Sequence, residues 1–288
     1  MSKKKFKRAG LIGSLVFGLV MAGCGNDASG EKGDLEIVYV ERDSEVASTY
    51  VIGQVLEDAG YDVTLTGIDN ALMWEAIANG ETDGMVSAWL PLTMRAQYEA
   101  YADQVVELGP NLEGAKLGLV VPEYMDVDSI ENLSNEADQN ITGIDPGAGV
   151  MDAAANAIEE YDNLEGWNLQ TSSSGAMATE LRRAYEEKDE IIVTGWTPHW
   201  KFQAYDVKYL DDPNGVFGEA ETIETIVREG LKEDAPEAYQ ILDNFYWESE
   251  DIEEVMLAMN EGAFPKDAAA DWIEENQDKV AEWTDGIE

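Results

Sequence analysis

Short apolar runs alternate with amphipathic stretches from residue 35 onward, a rhythm that predicts strand, helix and strand in turn. Leu35–Val40 is a continuous apolar run suited to a strand covered on both faces. Ser44–Ala59 then carries Ala47, Val51 and Val55 on one stripe, with Asp43 or Ser44 as N-cap and Gly60 as its stop, and predicts a helix. The alternation continues through strand Tyr61–Leu65, helix Asn70–Asn79 ended by Gly80, strand Gly84–Ala88, helix Leu92–Ala102 and strand Val105–Leu108. After the strand-like Lys116–Pro122 the cycle restarts with strand Ile141–Ile144, helix Val150–Glu160, strand Trp167–Thr171, helix Ser174–Glu187 and strand Ile191–Thr194. From Ala220 the pattern reads as helical throughout. Repeated βαβ order predicts an α/β fold with parallel-rich sheets, helices on both faces and a helical C-terminal tail that packs on the first lobe.

The second series mirrors the first, and each contains a Trp-x-Pro directly after an apolar run: Ser87-Ala88-Trp89-Leu90-Pro91 and Thr194-Gly195-Trp196-Thr197-Pro198. This duplication predicts two lobes, 34–113 plus 213–288 and 114–212, with a cleft between them. Ligands of open α/β sheets sit beyond the carboxyl ends of the strands, which is where both segments fall. Proline cannot donate to a strand ladder, so it turns the chain outward and leaves the neighbouring ring at the rim. Trp74, Trp167, Trp247, Trp272 and Trp283 lie in amphipathic stretches and read as packing residues.

The first 23 residues belong to no fold. Lys3, Lys4, Lys5, Lys7 and Arg8 precede the apolar Ala9–Met21, and Met21-Ala22-Gly23-Cys24 closes the segment with small residues before the only cysteine. This is the pattern of a secretory signal followed by a lipidated Cys24, with residues 24–33 as a polar tether. The mature protein is then expected on the extracellular face of the cell membrane, held by acyl chains.

Charge narrows the partners. The chain carries a net charge of −42, and losing the basic signal segment leaves −47. Such an excess excludes nucleic acid and argues against an anionic membrane surface or a polyanionic ligand. Glu159, Glu160, Glu186, Glu187, Glu253 and Glu254 disperse it over helix faces, as suits a solvated surface in high salt.

The cleft chemistry follows from the same elements. Two tryptophans facing one another clasp a cation, and Gly147-Ala148-Gly149-Val150 opens a helix whose free amides favour an anion. Together they suit a small zwitterion with a quaternary ammonium at one end.

Several segments carry a resemblance: Val38-Tyr39-Val40-Glu41-Arg42-Asp43-Ser44-Glu45-Val46-Ala47-Ser48, Met73-Trp74-Glu75-Ala76-Ile77-Ala78, Ala88-Trp89-Leu90-Pro91, Gly143-Ile144-Asp145-Pro146-Gly147-Ala148-Gly149 and Thr194-Gly195-Trp196-Thr197-Pro198-His199-Trp200. With them the chain resembles the extracellular glycine betaine-binding proteins of osmoprotectant ABC importers. The resemblance implies a two-lobed, periplasmic-binding-protein-like (type II, Venus flytrap) monomer that delivers a compatible solute to an ABC permease without catalysis or cofactor. It further implies that Trp89 and Trp196 are two of three cage tryptophans, and that the amides of Gly149 and Val150 join a histidine in holding the carboxylate. Two positions depart from that pattern: Arg42 stands where the third tryptophan is expected, and Met94 where the histidine is expected.

Arg42 then has three readings. It repels the cation unless neighbours such as Glu41 or Asp43 offset it, it replaces the histidine as carboxylate partner, or it lies over a tryptophan or in solvent. Its presence also opens the alternative of another ligand: carnitine, choline, a sulfonium or a sulfonate. His199, the only histidine, reads as a structural hydrogen-bonding residue behind Trp196, with direct ligand contact as the alternative. Ser172, Ser173 and Ser174 lack the elbow of an acyl-transfer triad, which disfavours a secreted hydrolase; a lone histidine with one lipidated cysteine builds no zinc site. Gly147-x-Gly149 lacks the third glycine of a dinucleotide loop, and no Walker loop is present.

Overall fold

The apolar run at Leu35 becomes β1 (Asp34–Tyr39), with Ile37 and Val38 fully buried, in a computed structural model that describes residues 32–287. The expected signal segment, Cys24 and the tether through residue 31 lie outside the described residues. Helix α1 (Asp43–Asp58) starts one residue earlier than the sequence suggests, with Arg42 as N-cap, and buries Ala47, Val51, Ile52, Val55 and Leu56. Strands β2 (Asp62–Gly67) and β3 (Gly84–Leu90) flank β1 in parallel, connected through α2 (Asn70–Ala78). Helix α3 is shorter than expected, Arg95–Tyr101, because residues 91–94 form the turn that leaves β3.

Val105–Leu108 and Lys116–Pro122 prove to be the two ends of one 18-residue strand, β4 (Val105–Pro122). Register shifts at Glu107/Gly109, Pro110/Leu112 and Glu113/Ala115 bend it, and Gly109 (φ +102°) and Gly114 (φ +79°) take the backbone conformations those bends require. Its second half enters another sheet, formed with β5 (Asn140–Thr142), β6 (Asn168–Gln170), β7 (Ile192–Thr197) and β8 (Val207–Tyr209). Helices α4 (Gly149–Glu160), α5 (Ser174–Glu187) and α6 (Lys201–Ala204) complete that lobe, and the side chain of Ser173 caps α5 by accepting from the Ala176 amide.

The helical reading from Ala220 is corrected by β9 (Glu221–Arg228), which inserts between β3 and β4, antiparallel to both. Its buried Ile223, Ile226 and Val227 have the spacing of a helical stripe, but five of its eight residues are β-branched and the run lies between two strands. The expected parallel-rich sheets are therefore mixed: strand order is β2-β1-β3-β9-β4-β7-β5-β6, with β8 on β4, and every pairing of β4 and β9 is antiparallel.

Beyond β9 the chain is helical: α7 (Leu231–Asp234), α8 (Pro236–Asn244), α9 (Ser249–Asn260), α10 (Pro265–Glu275) and α11 (Gln277–Trp283). Helices α8, α9 and α10 pack on α1, so the tail covers the first lobe. Trp247, Trp272 and Trp283 are buried there, Trp272 stacking on Trp283 at 5.8 Å, and Trp74 and Trp167 are buried elsewhere, as packing residues should be. Among the described residues no helix is long and apolar enough to cross a membrane.

Candidate functional site

Strands β3 and β7 end alike. Trp89 and Trp196 are their penultimate residues, followed by Leu90-Pro91 and Thr197-Pro198, and both prolyl bonds are cis. Both rings line one cavity between the lobes. Arg42, Met94, Gly149 and Val150 share its walls, so six of the seven expected ligand residues meet in one place. Glu45, Thr93, Leu117 and Ile144 also line it and went unnoticed in the sequence as site residues.

The start of α4 also faces this cavity. Ala148 is the N-cap in extended conformation, and no acceptor among the described residues takes the amides of Gly149 or Val150. A helix start supplies free N–H groups and the positive end of the dipole together. Gly149 is required there: a Cβ on it would lie 2.4 Å from Thr93 Cγ2 and 3.0 Å from the Thr93 carbonyl oxygen, across the cleft. The buried Glu221 of β9 fixes that turn by accepting from the amides of Leu92 and Thr93 and from the Thr93 hydroxyl.

Of the three readings of Arg42, the one in which nearby carboxylates offset its charge is met, with different partners. Arg42 is 8 % exposed and its guanidinium bridges the lobes: Nη1 donates to Glu45 at 2.8 Å, while Nε and Nη2 donate to both carboxylate oxygens of Asp145 at 3.2 and 2.8 Å. The offsetting carboxylates are therefore Glu45 and Asp145. Neither Glu41 nor Asp43 pairs with it; Asp43 instead accepts from Trp200 Nε1 at 2.8 Å. Burial pulls the arginine pKa down, but the two carboxylates outweigh it and raise it above the ordinary value. Burial raises Glu45, and Arg42, the Val40 amide and the Ser87 hydroxyl only partly offset this.

Residues 33–275 match the family described as "Substrate binding domain of ABC-type glycine betaine transport system". The chain belongs to that family. Over 162 residues, 56 % of its length and 54 % of the relative's, this binding domain is 55 % identical to the glycine betaine/carnitine transport binding protein GbuC of Listeria monocytogenes. The chain thus spans about half the length of that relative. Among solved structures it is similar to lactococcal OpuAC in its closed form with glycine betaine (51 % identity, TM-score 0.85, covering 88 % of this chain and 99 % of that one). It is also similar to a glycine/betaine/L-proline-binding protein from Borrelia burgdorferi (34 %, TM-score 0.82, covering 87 % and 96 %). The two-lobed fold of the family is thereby the fold of this chain.

His199 of this binding domain does not line the cavity. It is fully buried behind Trp196, edge-on to its ring at 4.7 Å, and its Nδ1 accepts from the Lys201 amide, which places the proton on Nε2. Lys201 is buried as well, with Nζ 4.5 Å over the Trp196 ring and donating to the Trp196 carbonyl. Burial, followed by the charge of Lys201, holds the imidazole pKa well below its usual 6.5. In the unfolded chain the ring takes its proton near that value, so between the two pKa values the unfolded state holds more protons and the stability due to this ring falls as pH falls. The sole histidine gives one unambiguous set of imidazole NMR signals, and their midpoint is expected well below 6.5; a midpoint at or above 6.5 would contradict the buried neutral ring.

Proposed function

We propose that this chain is the extracellular capture component of an ABC importer and closes on glycine betaine between its lobes. One observation carries the reading: Trp89 and Trp196 wall the same cavity as the free amides of Gly149 and Val150, which seats a quaternary ammonium and a carboxylate at once. The lobes in this reading are 34–113 plus 213–288 and 114–212, Cys24 anchors the mature monomer through lipid, and an ABC permease receives the solute. No catalytic step is assigned.

A second reading keeps the transport role and changes the solute to carnitine, choline, a sulfonium or a sulfonate. Its support is that Arg42 and Met94 line the cavity where the resemblance implies a third cage tryptophan and a carboxylate histidine.

Titration of the mature, unlipidated chain with glycine betaine, followed by tryptophan emission at high salt, decides between them. Saturable binding at micromolar concentration or tighter, weakened roughly five- to thirtyfold by Trp196→Ala, is expected from loss of one cation–π wall of about 1–2 kcal/mol. Silence with betaine and a response to one of the other solutes would transfer the assignment to that solute.

A further inference from the structure

Arg42 and Glu45 line the cavity, and Asp145, which is not itself a lining residue, pairs with Arg42 from the other lobe, so two carboxylates meet one guanidinium. Arg42 and Glu45 stand at the start of α1 in the first lobe; Asp145 follows β5 in the second, four residues before Gly149. A guanidinium alone at this wall would repel a permanent cation. Here three of its N–H groups are committed to carboxylates at 2.8, 3.2 and 2.8 Å, so the group is immobilised and the cluster as a whole is negative. Without Asp145 the buried pair Arg42–Glu45 would be neutral. The negative excess exists only when the Asp145 loop is against Arg42, that is, when the lobes have met.

We propose that Asp145 is a specificity-determining residue: by bridging to Arg42 it makes the ion cluster at this wall net negative on closure and selects solutes with a permanently positive head group over those of the same shape with an uncharged one. This rests on the reading of the cleft as a quaternary-ammonium site. Charge and two indole faces, in this view, hold the cation together. Asp145 also keeps Arg42 from swinging toward the anion seat, since a bidentate carboxylate fixes both the position and the plane of a guanidinium.

The test uses two probes of nearly equal shape, glycine betaine and 3,3-dimethylbutanoate, in which a carbon replaces the quaternary nitrogen and removes its charge. Calorimetric titration of the wild-type chain is expected to favour betaine strongly. Asp145→Asn should cut that preference about tenfold, a unit charge at close range discounted for the partial exposure of the carboxylate, mainly by weakening betaine. Asp145→Glu, which retains the charge, should keep most of it. An Asp145→Asn variant that weakens both probes equally, or neither, overturns the proposal, because a purely structural clasp acts on both alike. Equal binding of the two probes by the wild type overturns it too. Failure of the wild type to bind betaine at all defeats the quaternary-ammonium reading itself.

Discussion

Arg42→Trp lowers the stability of the folded chain by about 3–5 kcal/mol at neutral pH, the typical effect of removing one partner from a buried ion pair. Tryptophan at 42 is the change that the family resemblance invites, since it would complete an aromatic cage. The structure argues against it as a single change. Glu45 is 3 % exposed, its charge is met by the Arg42 guanidinium at 2.8 Å, and only the Val40 amide and the Ser87 hydroxyl remain when that group is removed. A carboxylate so placed takes up a proton in preference to remaining charged, which drives its already raised pKa further up. The unfolded chain releases that proton near the ordinary glutamate value, so above it the folded state binds more protons and stability falls as pH rises. The penalty is therefore absent in acid and complete once pH exceeds the folded-state pKa. Urea unfolding of Arg42→Trp at acid and neutral pH should show this trend, and Arg42→Trp/Glu45→Gln should recover much of the loss. Equal stability of the single variant and the wild type at neutral pH would mean that the ion pair is not needed to keep Glu45 buried.

Gly149→Ala weakens ligand binding roughly ten- to a hundredfold while leaving the unliganded lobes folded. The added methyl meets Thr93 Cγ2 at 2.4 Å, and Thr93 cannot retreat because Glu221 holds its amide and hydroxyl. An overpacked contact costs about 1–3 kcal/mol, and here the cost falls on closure because the two residues meet only across the cleft. Thermal melting without ligand should change little, whereas calorimetric affinity for betaine should drop. Thr93→Ser, which removes the nearer atom, should restore part of it in the double variant. Unchanged affinity in Gly149→Ala would show that ligand is held without this degree of closure.

What the sequence made legible was local. The Trp-x-Pro pair, the glycine-rich start of α4 and the first βαβ units each occupy a few consecutive residues whose period or turn chemistry is sufficient. Long-range partners were not legible. Arg42 and Asp145 are 103 residues apart and Glu221 lies 128 from Thr93, and nothing in the periodicity of either segment names the other. The failure at β9 has a different origin, because Ile223, Ile226 and Val227 fit a helix stripe and a covered strand equally well, and only the two waiting neighbours decide. The fusion of 105–122 was not legible because Gly109, Pro110 and Gly114, residue types that commonly end strands, are here bends in an unbroken ladder.

That ladder has a mechanical meaning. Because β4 is hydrogen-bonded within both sheets, the lobes are joined by a flexure and not by a free joint: it bends where its register slips, and it resists sliding and swivelling. A small solute that makes contact with both lobes therefore acts across a junction already tied by main-chain hydrogen bonds.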